Sequence, residues 1–187
     1  LEIFWPSGVT MGEATLQASS VKDTQFFSAS MEVVLPQGRM LYKFTSTTDG
    51  NLCSREFHQS VERGKKYWEE VTRFNAETGK ASVSRDGRTQ ELPAGKCARD
   101  PLAYLYYYRS QAAAGKKPTG DTLFLTGALQ LGIEAKSKEQ IKINRIERQA
   151  ERYRITYPAG EESGLIELWL DGTSRQTPVA IRLPLPL

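Results

Sequence analysis

The sequence predicts a mostly β protein: an antiparallel β-barrel or half-barrel of about 10–12 strands, with one main α-helix at about residues 101–114 packed against the sheet. Three observations carry this. Most of the chain alternates apolar and polar residues with a period of two, the pattern of half-buried antiparallel strands. Turn-forming residues separate these runs at short intervals. One segment, DPLAYLYYYRSQAAAG from Asp100 to Gly115, breaks the alternation.

In chain order, residues 9–20 form a first strand, with Ala14, Leu16 and Ala18 on one face. From Gln25 to Leu35, Phe27, Ala29, Met31, Val33 and Leu35 share a face opposite Ser28, Ser30 and Glu32. Pro36-Gln37-Gly38 turns the chain, and Met40, Tyr42 and Phe44 return. After the turn at residues 48–51, Cys53, Phe57 and Val61 share a face, with Ser54, Glu56, His58 and Ser60 opposite. Lys65 to Phe74 carries bulk on both faces, Trp68 and Phe74 against Tyr67 and Val71. Asp86-Gly87 is the strongest two-residue hairpin signal in the chain.

The helix follows. Asp100 suits the N-cap, and Pro101 the first helical position, where its missing N–H costs nothing. Ala112, Ala113 and Ala114 favour helix, and Gly115 can end it in a left-handed cap. Leu102 to Tyr108 are apolar or aromatic on every side, as in a helix buried on more than one side.

Beyond a basic loop at 115–120, Thr122 to Thr126 is continuously apolar, and Leu129, Leu131, Ile133 and Ala135 alternate with polar residues and glycine. Residues 139–152 fit either a strand or one helix face; the β-branched residues and the Tyr153, Ile155, Tyr157 alternation favour two strands joined near 148–151. Pro158 to Gly164 reads as a turn. Ile166, Leu168 and Leu170 make a strand with Trp169 on its opposite face, and Val179, Ile181, Leu183 and Leu185 make the last.

The 187 residues fit a single domain, 1–187, with a core that needs no metal. No apolar run approaches a membrane span, so no transmembrane helix is expected. The chain opens at LEIFWPSG without Met or a basic leader and stops at LPLPL; a trimmed mature form, its signal peptide removed, is the expectation. A net charge of +3 is too mild to point to nucleic acid. In the densest basic stretch, Lys136 to Arg154, interspersed Glu139, Glu147 and Glu151 indicate a solvated face.

Cys53 and Cys97 are too far apart for a redox CxxC pair, and one His excludes a closed Cys/His zinc site. They are either buried thiols or one disulfide in an oxidising compartment; the even count tips toward the disulfide.

In this order, Gly12-Glu13-Ala14-Thr15-Leu16, the DPLAYLYYYR helix followed by Gly115, and Leu168-Trp169-Leu170-Asp171 with Pro178-Val179-Ala180-Ile181 resemble a family of exported bacterial proteins, domain of unknown function 3108. The resemblance runs from about Trp5 to the C-terminus. It implies a signal-bearing precursor, a periplasmic or outer-membrane-associated address in a Gram-negative envelope, and an antiparallel barrel or half-barrel. Such folds look like the lipoprotein-localisation factors, which hold acyl chains against a concave sheet; that step is fold analogy. The family brings no catalytic residues and no cofactor.

The residues themselves show no reaction. A Ser–His–acid triad would have to use His58, yet its neighbours Ser54, Glu56 and Ser60 lie side by side along a strand, and no GxSxG elbow exists. Glu69 and Glu70 point to opposite faces and read, like Glu161 and Glu162, as solvated acids. No phosphate-binding glycine motif occurs. Aromatic residues are the remaining signal. Tyr104, Tyr106, Tyr107 and Tyr108 cannot all face one core, and Trp68 and Trp169 stand opposite the more regular apolar faces of their strands. Trp68, Tyr104, Tyr107, Tyr108 and Trp169 are therefore candidate ligand-binding residues in a groove between helix and sheet, although simple packing also explains them. The expectation is a non-enzymatic envelope protein that binds an acyl chain or another hydrophobic molecule. The alternative is a structural module with a fully packed barrel and an envelope protein partner.

Overall fold

The structure, a computed structural model, describes residues 2–4, 10–35, 38–116, 122–125, 127–143, 146–159, 162–173 and 176–182. The expectations for Trp5, Leu35, Pro36, Gln37, Pro118, Thr126, Ala135, Lys136, Arg145, Glu161, Leu183 and Leu185 concern residues or side chains outside that description. The chain is mostly strand: β1 (Glu2–Phe4), β2 (Thr10–Val21), β3 (Thr24–Leu35), β4 (Gly38–Thr48), β5 (Ser54–Arg63), β6 (Lys66–Asn75), β7 (Lys80–Arg85) and β8 (Arg88–Pro93) precede the helix α1 (Pro101–Ala113). After it come β9 (Thr122–Phe124), β10 (Ala128–Gln130), β11 (Gly132–Ile143), β12 (Ile146–Ala159), β13 (Glu162–Asp171) and β14 (Pro178–Arg182).

Two compact units divide the chain, with β2 and α1 contributing to both. In unit 1 (residues 1–13, 108–121 and 130–187) the strand order is β11-β12-β13-β14-β1-β2, with the β1–β14 pair parallel. In unit 2 (residues 14–107 and 122–129), β2 to β8 lie in sequence order, and β3 to β8 pair as successive antiparallel hairpins. Among the described residues β8 and β11 each have a strand neighbour on one side only, so the hydrogen-bonded strands are not closed into a barrel.

Local chemistry accounts for the elements. Asp86 and Gly87 both have positive φ (52° and 74°), as a tight hairpin between β7 and β8 requires. At the end of α1, Gly115 (φ 68°) donates to the Ala112 carbonyl and Lys116 to the Gln111 carbonyl, which satisfies carbonyls the helix leaves open. The inner face of unit 2 is the one on which α1 lies. Phe27, Ala29 and Phe57 are buried there with Leu102, and Leu16, Phe44, Leu52, Phe74 and Tyr106 pack around them. Each such large side chain withdrawn from water contributes about 1.5–3 kcal/mol. A second cluster joins Ala81, Ala94, Ala98 and Phe124, with Phe74 edge-on to Phe124 at 5.1 Å. In unit 1, Ala150, Trp169, Val179 and Ala180 form the core, with Ile141 against them.

Several expectations are corrected. Three-residue β1 has no alternation to betray it; its partner β14 lies at the other end of the sequence. The 139–152 segment is strand, but the hairpin turns between Ile143 and Ile146 rather than near 148–151, which lies inside β12. The expected turn at 158–164 is shorter, because Pro158 and Ala159 still pair with Ser163 and Glu162. The 129–135 run breaks at Leu131, between β10 and β11. Ser54 is not on the solvent face with Glu56 and His58. The register slips between β4 and β5, so that Thr47 pairs with Glu56 but Thr48 with Ser54; the extra residue, Arg55, turns Ser54 inward.

Candidate functional site

The five aromatic candidates divide between the units. Trp68, Tyr104 and Tyr107 belong to unit 2, and Tyr108 and Trp169 to unit 1. Within unit 2 the helix places Tyr104 and Tyr107 one turn apart, with rings 6.4 Å apart; Tyr104 is buried, and the Arg99 guanidinium lies 3.7 Å from the Tyr107 ring centroid. Within unit 1, Tyr108 is 2% exposed and meets Tyr153 edge-on at 5.2 Å. Trp169 is buried and donates its indole N–H to Glu139 Oε1 at 2.5 Å. Tyr104, Tyr108 and Trp169 are thus enclosed by their own chain.

Trp68 is different, because it is only half-buried. It sits on the inner face of β6, paired with Val61 of β5, so it does not stand opposite that strand's buried face as the alternation suggested. Period-two geometry puts Glu70, Thr72 and Phe74 on the same face. Two strands over, across Val61, Tyr42 is half-buried, and its ring begins a stacked series with Phe44 (6.4 Å) and then Phe57 (6.1 Å). Burial pushes the Tyr42 hydroxyl above its ordinary pKa, with a smaller opposing pull from Arg63.

A row of polar groups crosses this face. Gln59, Glu70, Arg85 and Arg88 are successive cross-strand partners on β5, β6, β7 and β8. Glu70 is 5% exposed and accepts a hydrogen bond from Gln59 Nε2 at 2.7 Å. The Arg85 guanidinium lies 4.5 Å from the Trp68 ring centroid. Directly opposed arginines repel; Asp86, 3.6 Å from Arg85, offsets part of that. Glu70, Val83, Arg85, Arg88 and Gln90 line an open depression of about 710 Å³. The reading of Glu70 as a solvated acid is therefore wrong. The signal that identifies it is parity: it lies two residues from Trp68 and four from Phe74 on one strand face.

The second constellation is the start of α1. Asp100 is fully buried, and its two carboxylate oxygens divide the work. Oδ1 accepts from the backbone N–H groups of Leu102 (2.9 Å) and Ala103 (3.0 Å), the capping role expected of it. Oδ2 accepts from the Ser46 and Ser54 hydroxyls, both at 2.6 Å, and the Asp100 N–H donates back to Ser54 Oγ. Burial pushes the Asp100 carboxyl above the usual range, against the pull of these hydrogen bonds. Three residues upstream a disulfide joins Cys97 to Cys53, with Cα atoms 4.7 Å apart, and the Ser54 N–H donates to the Ala98 carbonyl.

This placement bears on catalysis. Ser54 faces inward and is bonded to Asp100, whereas His58 lies on the outer face with Nε2 3.5 Å from Glu69 Oε2. Ser54 and His58 therefore do not converge. Tyr67 donates to Glu69 at 2.7 Å, and that bond holds the Glu69 carboxyl below its ordinary pKa. Among the described residues no group of three His, Cys, Asp or Glu side chains could hold a metal ion.

In unit 1 the charged groups pair with one another. Arg182 binds Glu167 at 2.6 Å, and Arg152 lies 3.6 Å from Glu139 and 3.9 Å from Glu167. Tyr153 donates to Glu151 at 2.6 Å; burial first, and this bond second, push its hydroxyl far above the ordinary value.

A family model described as a protein of unknown function, DUF3108, matches residues 2–187. No curated protein matches the chain. Among solved structures, the chain is similar to a β-barrel-like protein of domain of unknown function DUF1849 from Brucella abortus, with 15% identity, a TM-score of 0.57 and coverage of 93% of this chain and 81% of that one. A DUF1089 family protein from Pseudomonas aeruginosa aligns at 10% identity and a TM-score of 0.41, covering 89% of this chain and 88% of the other. The first of these similarities concerns the fold alone.

Proposed function

Taking as premise that the chain belongs to the DUF3108 family of proteins of unknown function, we propose that it is a non-catalytic, extracytoplasmic protein of a Gram-negative envelope, which holds the apolar part of an amphipathic or lipid-like ligand on the inner face of unit 2. The observation that carries this reading is the half-buried pair Trp68 and Tyr42, set beside Val61 on the face that α1 covers elsewhere. Aromatic surface left part-open beside a depression with a few fixed polar groups suits such a ligand. The proposed surface differs from the one the helix tyrosines suggested: it rests on Trp68, not Tyr104 or Tyr108, beside the depression that Glu70 and Arg85 line. The Cys53–Cys97 disulfide supports an oxidising compartment and hence export behind a signal peptide. No described helix is long and apolar enough to cross a membrane.

The test is native mass spectrometry of protein purified from a membrane-containing lysate, followed by thermal unfolding with palmitate and with short-chain phosphatidylglycerol. A bound mass is expected, with stabilisation of about 2.7 kcal/mol at a hundredfold excess over Kd. W68A should lose most of that stabilisation. A ligand-free mass with no thermal shift overturns the reading. The enclosure of Tyr104, Tyr108 and Trp169 favours a second reading, a structural module filled by its own side chains; an envelope protein that co-purifies in place of a lipid would select it.

A further inference from the structure

The outer face of unit 2 changes character along its strands. It carries an ion pair near the β3–β4 turn, Glu32 with Arg39 at 2.8 Å, and another one strand beyond Thr47, Glu56 with Arg73 at 2.8 Å. Between them, the described side chains set around Phe26 are uncharged. Phe26 pairs with Thr47, Ser28 pairs with Thr45, and Ser28 Oγ lies 3.5 Å from Gln17 Oε1, so these side chains share one surface; Ser19 follows Gln17 by two on the same strand. Together Gln17, Ser19, Phe26, Ser28, Thr45 and Thr47 line an open depression of about 560 Å³. Phe26 is 41% exposed in its midst.

We propose that this surface is a second binding site, for an uncharged saccharide. The chemistry matches in three respects. An exposed aromatic ring offers a flat apolar face to the C–H face of a pyranose. Hydroxyl and amide side chains both donate and accept, as a ring of sugar hydroxyls requires. Among the described lining residues none is ionic, so an uncharged ligand loses no hydration to an unpaired charge. A lone exposed Phe is ordinary; a Phe set among five uncharged hydrogen-bonding side chains in a depression is what the inference stands on. It is independent of the lipid reading, which concerns the opposite face.

Amide chemical-shift titrations of the intact protein test it, with hexamers of N-acetylglucosamine and of glucose as uncharged probes and a sulfated oligosaccharide as the charged one. Perturbations from an uncharged hexamer confined to residues 17–19, 26–28 and 45–47 are expected. F26A should weaken binding by about tenfold or more, F26Y should restore it, and T45V should weaken it severalfold. The shift map of the unsubstituted protein stands by itself if a variant fails to fold. Silence at those residues with both uncharged hexamers, binding of the sulfated probe alone, or unchanged affinity in F26A overturns the proposal.

Discussion

The two units keep charge inside a β structure by opposite means. Unit 2 concentrates it at the helix cap: Asp100, buried as Glu70 is, is satisfied by two serine hydroxyls and two backbone amides, with a disulfide three residues away. Unit 1 distributes it: Glu139, Arg152, Glu167 and Arg182 share ion pairs across neighbouring strands, with the Trp169 indole tied in. The concentrated arrangement is short-range and all-or-none, because removing one partner strands the others in a dry site. The distributed one is partly exposed, open to salt, and loses a fraction of its energy at a time. Unit 2 should therefore fail at single points and unit 1 by degrees.

The largest effect should come from the disulfide. It spans 44 residues, and the chain-entropy estimate for opening it is about 4 kcal/mol. Urea denaturation with and without reductant, followed in single-Trp variants that report on Trp68 or Trp169, should show the loss in unit 2 first. An equal shift of both signals would erase the proposed contrast.

Next is D100A, which removes the cap and strands two hydroxyls; a loss of about 3 kcal/mol is expected. D100N, which keeps a cap acceptor, should cost less. The pH dependence has a definite sign. The native Asp100 carboxyl titrates above its unfolded counterpart, so its contribution is greatest below the ordinary Asp pKa and is lost as pH rises through the elevated native value. The difference in stability between the unsubstituted protein and D100N should show that decline; a flat difference would mean that burial does not control this group.

In unit 1, E167Q should cost about 1–2 kcal/mol at low salt and less at high salt. A salt-independent loss would show that packing, not charge, is at stake there. Smallest of all, E91Q breaks the exposed Lys80–Glu91 pair at 2.9 Å and should change stability by under about 0.5 kcal/mol.

Legibility in the sequence followed the range of the interactions. Asp86-Gly87 and the Asp100, Pro101 and Gly115 boundaries were readable because each acts within a few residues. Mostly-β architecture with one helix followed from period-two alternation. What escaped depended on distant partners. β1 has no pattern of its own, and the slip at Arg55 exists only where β5 meets β4. Of the site, Trp68 was singled out and Glu70 was legible by its parity with Trp68, whereas Gln59 and Arg85 came into view only through strand register. Asp100 was expected as a cap; its bonds to Ser46 and Ser54, on strands far back in the chain, were not.

The parallel pairing of β1 with β14 sets Glu2 beside Ala180. As the chain emerges, β3 to β8 can pair hairpin by hairpin, whereas the second edge of β1 is filled only once β14 is out. Through that interval β1 is a ribbon with one side unoccupied, an edge open to pairing with another strand.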